Sequence, residues 1–171
     1  MAAPDAAATL KAAFDQIAAG YHFVTTATVN GAVAITAKGD RVGDGTRLNV
    51  ASKGASVDYV ITPGGSWVNK DGTWSEITDA TPPSDPIGVL RAPTSVTVTS
   101  YGAGAPTVLT ANYPAAALSL PGDAAVDVVF TINGTVLASL GYSTKADAGT
   151  ADVHTDITAL VDTSPVTIPK V

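Results

Sequence analysis

Apolar residues recur at two spacings along this chain, and the spacing changes at Gly20. Before it, Leu10, Ala13, Phe14, Ile17 and Ala18 fall at i, i+3, i+4, i+7 and i+8, which gathers them on one stripe of a helix. Thr9 stands where a cap belongs, and Gly20 where a left-handed residue ends the helix. The spacing predicts a helix over residues 10–19, of about three turns. A helix that short holds only if its stripe is packed. Residues 1–8, rich in Ala with Pro4 and Asp5, read as a flexible tether.

Beyond Gly20 the period falls to two. Tyr21, Phe23, Ala27 and Val29 alternate with His22, Thr26 and Thr28, and Asn30-Gly31 follows. Both residues of that pair tolerate positive φ, so it marks a two-residue hairpin turn. Val33, Ile35 and Ala37 continue the alternation. Further strands carry Leu48 and Val50, then Val57, Tyr59 and Ile61, closed by Pro63-Gly64-Gly65. Trp67 and Trp74 flank Asp71-Gly72 and so belong to a small hairpin. From 79 to 93 the prolines Pro82, Pro83, Pro86 and Pro93 exclude a regular strand. Asp85-Pro86 is a start signal for a short helix through Leu90. Strand signals resume at Val96 and Val98, at Val108, Leu109 and Tyr113, and, after an Ala-rich turn at 114–118, at Val126, Val128, Phe130 and Ile132. Asn133-Gly134 turns into residues 136–142, and a last strand carries Val153, Ile157 and Leu160. Ten or eleven short strands in meander order predict one antiparallel sheet or barrel, with 82–93 as a crossover inside a single domain spanning 1–171.

Composition narrows the function classes. The 171 residues carry 15 acids against 9 bases, a net charge of -6, with no basic run, so phosphate neutralisation cannot drive binding and no nucleic-acid partner is expected. Charged residues are 14% and hydrophobic residues 46%, outside the range of disordered chains. Absence of cysteine removes disulfides, thiolate catalysis and cysteine metal sites. No apolar run approaches the roughly 20 residues of a membrane helix. Two readings of the compartment compete. Met1-Ala2-Ala3 shows no signal peptide, which suits a cytosolic protein. The Thr-, Gly- and Val-rich body, with Glu76 as its one Glu, resembles exported β-proteins instead.

Candidate chemistry is sparse. Asp152-x-His154-x-Asp156 puts an imidazole and two carboxylates on one face of a strand, an arrangement suited to a divalent metal or a proton shuttle. The plainer reading is the solvent face of a strand whose Val153 and Ile157 point inward. His22 precedes Phe23 on the opposite face and reads as a surface residue. No Gly-x-Ser-x-Gly elbow and no nucleotide-binding glycine loop occurs. Asn69-x-Asp71-Gly72 lacks the further ligands of a calcium loop and reads as a turn. The expectation is a non-enzymatic protein without cofactor or metal. Trp67 and Trp74 either line a pocket or pack across their hairpin.

The order of elements resembles a known family. A helix enters through Tyr21-x-Phe23, and hairpins lead to Trp67-x6-Trp74. A Pro-rich crossover and the Asn133-Gly134 hairpin follow, and the chain closes with Asp162-x-Ser164-Pro165-Val166-x-Ile168-Pro169. This is similar to the LolA-like lipoprotein carriers, in particular the actinobacterial LppX/LprG group of envelope lipoproteins, over residues 10–169. The resemblance implies an α+β, mainly antiparallel fold: a strongly curved half-barrel sheet, with an N-terminal helix and short helices on its concave face. It implies an apolar cavity that holds lipid or other acylated ligands. It also implies an export signal and a lipidated Cys shortly before Ala2, which would anchor the protein at the outer face of the cytoplasmic membrane. The covering helices are reduced here to 86–90 and 115–118.

Taking the more apolar face of each strand, the cavity-lining candidates are Phe23, Ile35, Val50, Tyr59, Ile61, Val98, Leu109, Val128 and Phe130, with Phe14 and Ile17 from the helix. They place the expected pocket between the helix and the strands bearing Phe23, Ile35, Val50 and Ile61. The alternative is a solid core in the same fold, with a structural or protein-interaction role exercised from the surface. An enzyme built on Asp152, His154 and Asp156 is the third reading.

Overall fold

A computed structural model describes residues 2–79, 84–146 and 149–170. The helix α1 spans Ala6–Gln16. It starts earlier than its apolar stripe suggests, because Asp5, not Thr9, caps it: the Asp5 carboxylate accepts from the Ala8 amide at 3.0 Å. Residues 6–8 of the expected tether are therefore helix. Thr9 turns its hydroxyl back to the Asp5 carbonyl at 2.6 Å. Leu10, Ala13 and Phe14 form the buried stripe.

Eleven antiparallel strands follow among the described residues. They are β1 (Gly20–Val29), β2 (Ala32–Val42), β3 (Gly45–Ser52), β4 (Ala55–Thr62), β5 (Gly65–Lys70), β6 (Thr73–Glu76), β7 (Ser95–Ser100), β8 (Thr107–Pro114), β9 (Ala125–Asn133), β10 (Val136–Ala146) and β11 (Gly149–Thr158). Their order is β6-β5-β4-β3-β2-β1-β11-β10-β9-β8-β7, so the sheet stays open, with β6 and β7 at its edges. The chain meanders outward from β1 to β6, crosses to the far edge, and meanders back until β11 pairs with β1. Short turns explain the meander. Asn30 and Gly31 take φ of 51° and 81°, the backbone that joins two twisted strands through two residues.

Pairing decides which residues share a face. Phe23 lies opposite Ile157 on one side and Gly39 on the other, Leu48 opposite Gly39 and Tyr59, and Leu140 opposite Thr155 and Phe130. All of these point to the concave side, where α1 packs. Phe14 meets Phe130 edge-on at 5.9 Å, and Tyr113 lies 6.5 Å from Phe130. Around them Leu109, Val128, Ile132 and Leu137 are fully enclosed. This cluster is the core.

The crossover forms a strap over the concave face. Pro82 and Pro83 lie outside the described residues. From Ser84 onward the strap carries a 3-10 turn at Gly88–Arg91, which starts two residues and ends one residue later than the Asp-Pro signal suggests. Ile87 and Leu90 are buried from it. Asp85 ties the strap down. It accepts from the Tyr21 hydroxyl at 2.7 Å and lies 3.5 Å from Arg41 Nε and 3.9 Å from Arg91. Burial, then the negative Asp85 beside it, drives the Tyr21 phenol far above its ordinary range, so it stays a donor. Thr46 donates to the Ser84 carbonyl, and Tyr113 to the Leu90 carbonyl at 2.7 Å. The strap is thus hydrogen-bonded to both halves of the sheet.

The C-terminal segment crosses the convex face. Arg47 donates to the Asp162 carbonyl at 2.8 Å and pairs with its carboxylate at 2.9 Å, while Asp40 bridges Arg47 and His22. Hydrogen bonds from Ser164, and then the Arg47 charge, hold the Asp162 carboxyl below its usual range. Val166 lies where a Cβ on Gly45 would be, 2.6 Å away, so only glycine lets the segment seat there.

Candidate functional site

A cavity of about 300 Å³ lies on the concave side, and it is bounded by the strap rather than by α1. Its floor is the sheet: Phe23 and Thr25 of β1, Ala37 of β2, Leu48 of β3, Leu140 and Tyr142 of β10, and Val153 of β11. Its roof is Pro86, Ile87, Val89 and Leu90 of the strap, with Ala117 and Leu118 from the 3-10 turn at Ala115–Leu118 on a further side. No charged side chain lines it. Thr25 and Thr155 satisfy each other at 2.8 Å, and burial raises the Tyr142 phenol above its ordinary range, keeping it neutral. The enclosure is therefore apolar, with its hydroxyls paired or uncharged.

The sequence candidates are distributed over three environments. Phe23 lies on the cavity floor. Phe14, Ile17, Leu109, Val128 and Phe130 are buried in the packed core, with Val98 half-buried against it from β7. Ile61 is buried opposite Thr46, the residue that holds the start of the strap. Ile35, Val50 and Tyr59 share the concave face and continue it past the cavity. Val50 and Tyr59 are half-buried, and Ile35 is 44% exposed. The strap residues were not among the candidates. Their signal was Ile87, Val89 and Leu90 directly after Asp85-Pro86, an apolar cluster in a stretch otherwise read as a connection.

The remaining candidates lie on the convex side. Trp67 pairs with Glu76 and Trp74 with Asn69, which puts both rings on that face, away from the cavity. Trp67 is buried and Trp74 half-buried. His154 and Asp156 are 3.1 Å apart and both well exposed, while Asp152 accepts from Ser143. Among the described residues no group of three or more His, Cys, Asp or Glu converges on a metal-sized site. Replacing His154 with alanine is expected to change stability by no more than ~0.5 kcal/mol in urea unfolding, as for other exposed residues.

No protein-family model and no curated protein matches the sequence. Solved structures do. The crystal structure of LprF from Mycobacterium bovis superposes over 98% of this chain and 97% of its own, with a TM-score of 0.63 at 14% identity. The fold is that of LprF. LprF is a lipoprotein of the LppX/LprG group, so the architecture expected from the sequence resemblance is present: an open, curved antiparallel sheet with an N-terminal helix on its concave face. Among the described residues no helix is long and apolar enough to cross a membrane.

Proposed function

We propose that this protein binds an acyl chain of a lipid or acylated ligand in the cavity beneath the strap, and that it acts at the cell envelope as a binding or carrier lipoprotein, without catalysis. The observation that supports this reading most is the uncharged space of about 300 Å³ left on the concave face between the sheet and the strap, on the part that α1 does not cover. That size is at the lower end of the roughly 300–1,000 Å³ of small-molecule sites and suits one chain better than several. About ten methylenes moved from water at roughly 0.8 kcal/mol each gain about 8 kcal/mol before ordering costs. The fold shared with LprF supports the same reading. Anchoring through a lipidated Cys ahead of Ala2 belongs to this proposal too.

Ala37 tests it. Its methyl lies on the cavity floor, between Thr25 of β1 and Val50 of β3. Ala37→Trp places an indole in the space assigned to the acyl chain. The expected result is a drop of about tenfold or more in lipid recovered by mass spectrometry of organic extracts, with stability changed by less than ~1.5 kcal/mol, because the ring enters a void. An extract free of lipid from the unaltered protein, together with a large stability loss in the variant, would favour the solid-core alternative. The closed packing around Phe14 and Phe130 is the feature that speaks for that alternative.

A further inference from the structure

We propose that the outer edge of β7 is where a second copy of this chain docks, the two strands pairing antiparallel about a two-fold axis normal to the sheet. The two edges of the sheet are unlike. β6 has four residues, follows the Lys70-Asp71 turn and ends on the carboxylate of Glu76. A strand so short and so flanked by charge is a poor template for further pairing. β7 has six residues, Ser95–Ser100, with neither a charge nor a proline among them. Among the described residues no strand pairs with its outer side. A bulge between Val98 and Ser100 disturbs only its last part, so residues 95–98 keep a regular edge. The amides and carbonyls along such an edge gain by meeting another strand.

Charge, facing and shape each favour a copy of this same chain as that strand. Two copies of net charge -6 repel, so they approach most easily where acids are absent. Residues 92–122 carry no charge at all, and they supply both β7 and its neighbour β8. On the adjoining helix, Lys11 and Asp15 already pair with each other at 2.6 Å, so contact there leaves no charge without its partner. The register through β8 and β9 sets Val96 and Val98 on the concave side, against the core, and the exposed Ser95 and Thr97 on the convex side. A two-fold axis normal to the sheet keeps concave beside concave. Valines of one copy then meet valines of the other, and hydroxyls meet hydroxyls, which is the self-complementarity an isologous contact requires. A groove of about 520 Å³ also runs between α1 and β7, lined by Leu10, Phe14 and Val96 among others. Its floor stops at β7, the last strand of the sheet, and the partner's β7 would extend it. Paired in this way, the two copies open their cavities on the same side of one continuous sheet.

So short a paired edge makes a weak dimer, and sedimentation velocity from about 10 μM to about 1 mM protein is the measurement that decides. The expected result is a shift from a 17.0 kDa species to one of twice that mass as concentration rises. Thr97→Lys should weaken the association by about tenfold or more, because it brings two ammonium groups together across the axis. Ser95→Lys repeats the test from the neighbouring exposed position. Both side chains are exposed, so the urea midpoint should stay where it is. Ser75→Lys, on the exposed part of β6, is the control at the other edge and should leave association unchanged. Hydrogen exchange gives a readout that needs no variant. Amides of residues 95–98 should exchange more slowly as the protein is concentrated, while those of 73–76 should not change. A single 17.0 kDa species at every concentration would overturn the proposal. So would a dimer that Ser75→Lys weakens as much as Thr97→Lys, or one that forms without slowing exchange at 95–98.

Discussion

Phe130→Ala is expected to destabilise the protein by about 3–5 kcal/mol in urea unfolding, enough to remove much of the roughly 5–15 kcal/mol that a domain has in total. The ring has no exposure and makes two aromatic contacts, edge-on with Phe14 of α1 at 5.9 Å and tilted with Tyr113 of β8 at 6.5 Å. It therefore joins the helix to the half of the sheet that returns from the crossover. Removing it opens a void that the surrounding side chains cannot close, because Leu109, Val128 and Ile132 are held on strands whose hydrogen bonds fix their spacing. The contrast with Ala37→Trp is the informative part. One substitution empties space that is filled, and the other fills space that is empty. Only the concave side beyond the strap should accept the second kind.

The second large effect is expected at Asp85. Asp85→Ala should cost about 3 kcal/mol or more, because it strips partners from two groups at once. The Arg41 side chain, 13% exposed, loses its counter-charge at 3.5 Å, and its buried Nε, which has no hydrogen-bond partner, loses the one charge that faces it. The Tyr21 hydroxyl loses its acceptor at 2.7 Å. A buried charge left alone is costlier than the pair was worth. Asp85→Asn should recover part of the loss, since the amide oxygen still accepts from Tyr21 while the attraction to Arg41 and Arg91 is gone. Hydrogen exchange of residues 84–91 should speed up in both variants, more in the alanine variant, because the strap loses the contact that holds it to β1 and β2. Unchanged exchange there would mean that Thr46 and Tyr113 suffice to keep the strap down.

Much of this architecture is legible in the order of residues alone. The period change at Gly20, the Asn-Gly and Asp-Gly pairs, and the alternation in nearly every strand define one helix followed by a meander. Such local signals arise because side-chain direction repeats every two residues in a strand, and because few residues tolerate the positive φ of a tight turn. The sequence also determined which face of each strand is apolar, and every cavity candidate does face the concave side or the helix that packs on it. It placed the start of α1 late, because Asp5 caps from outside the apolar stripe and no periodicity reaches that far.

Tertiary structure alone decided which part of the concave face is filled and which is open. Phe14, Leu109, Val128 and Phe130 look no different along the chain from Ile35, Val50 and Tyr59. The first set is enclosed and the second set is not, because α1 packs on the returning half of the sheet and leaves the β1–β4 side uncovered. The short helical turn of the strap was legible from Asp85-Pro86, but its seating was not, for a related reason. Its course depends on Asp85 finding Tyr21 and Arg41, and on Tyr113 finding the Leu90 carbonyl, partners tens of residues away that no local pattern links. Alternation reveals that a strand has an inside; what stands opposite that inside is set by long-range packing, which a single strand's pattern does not encode.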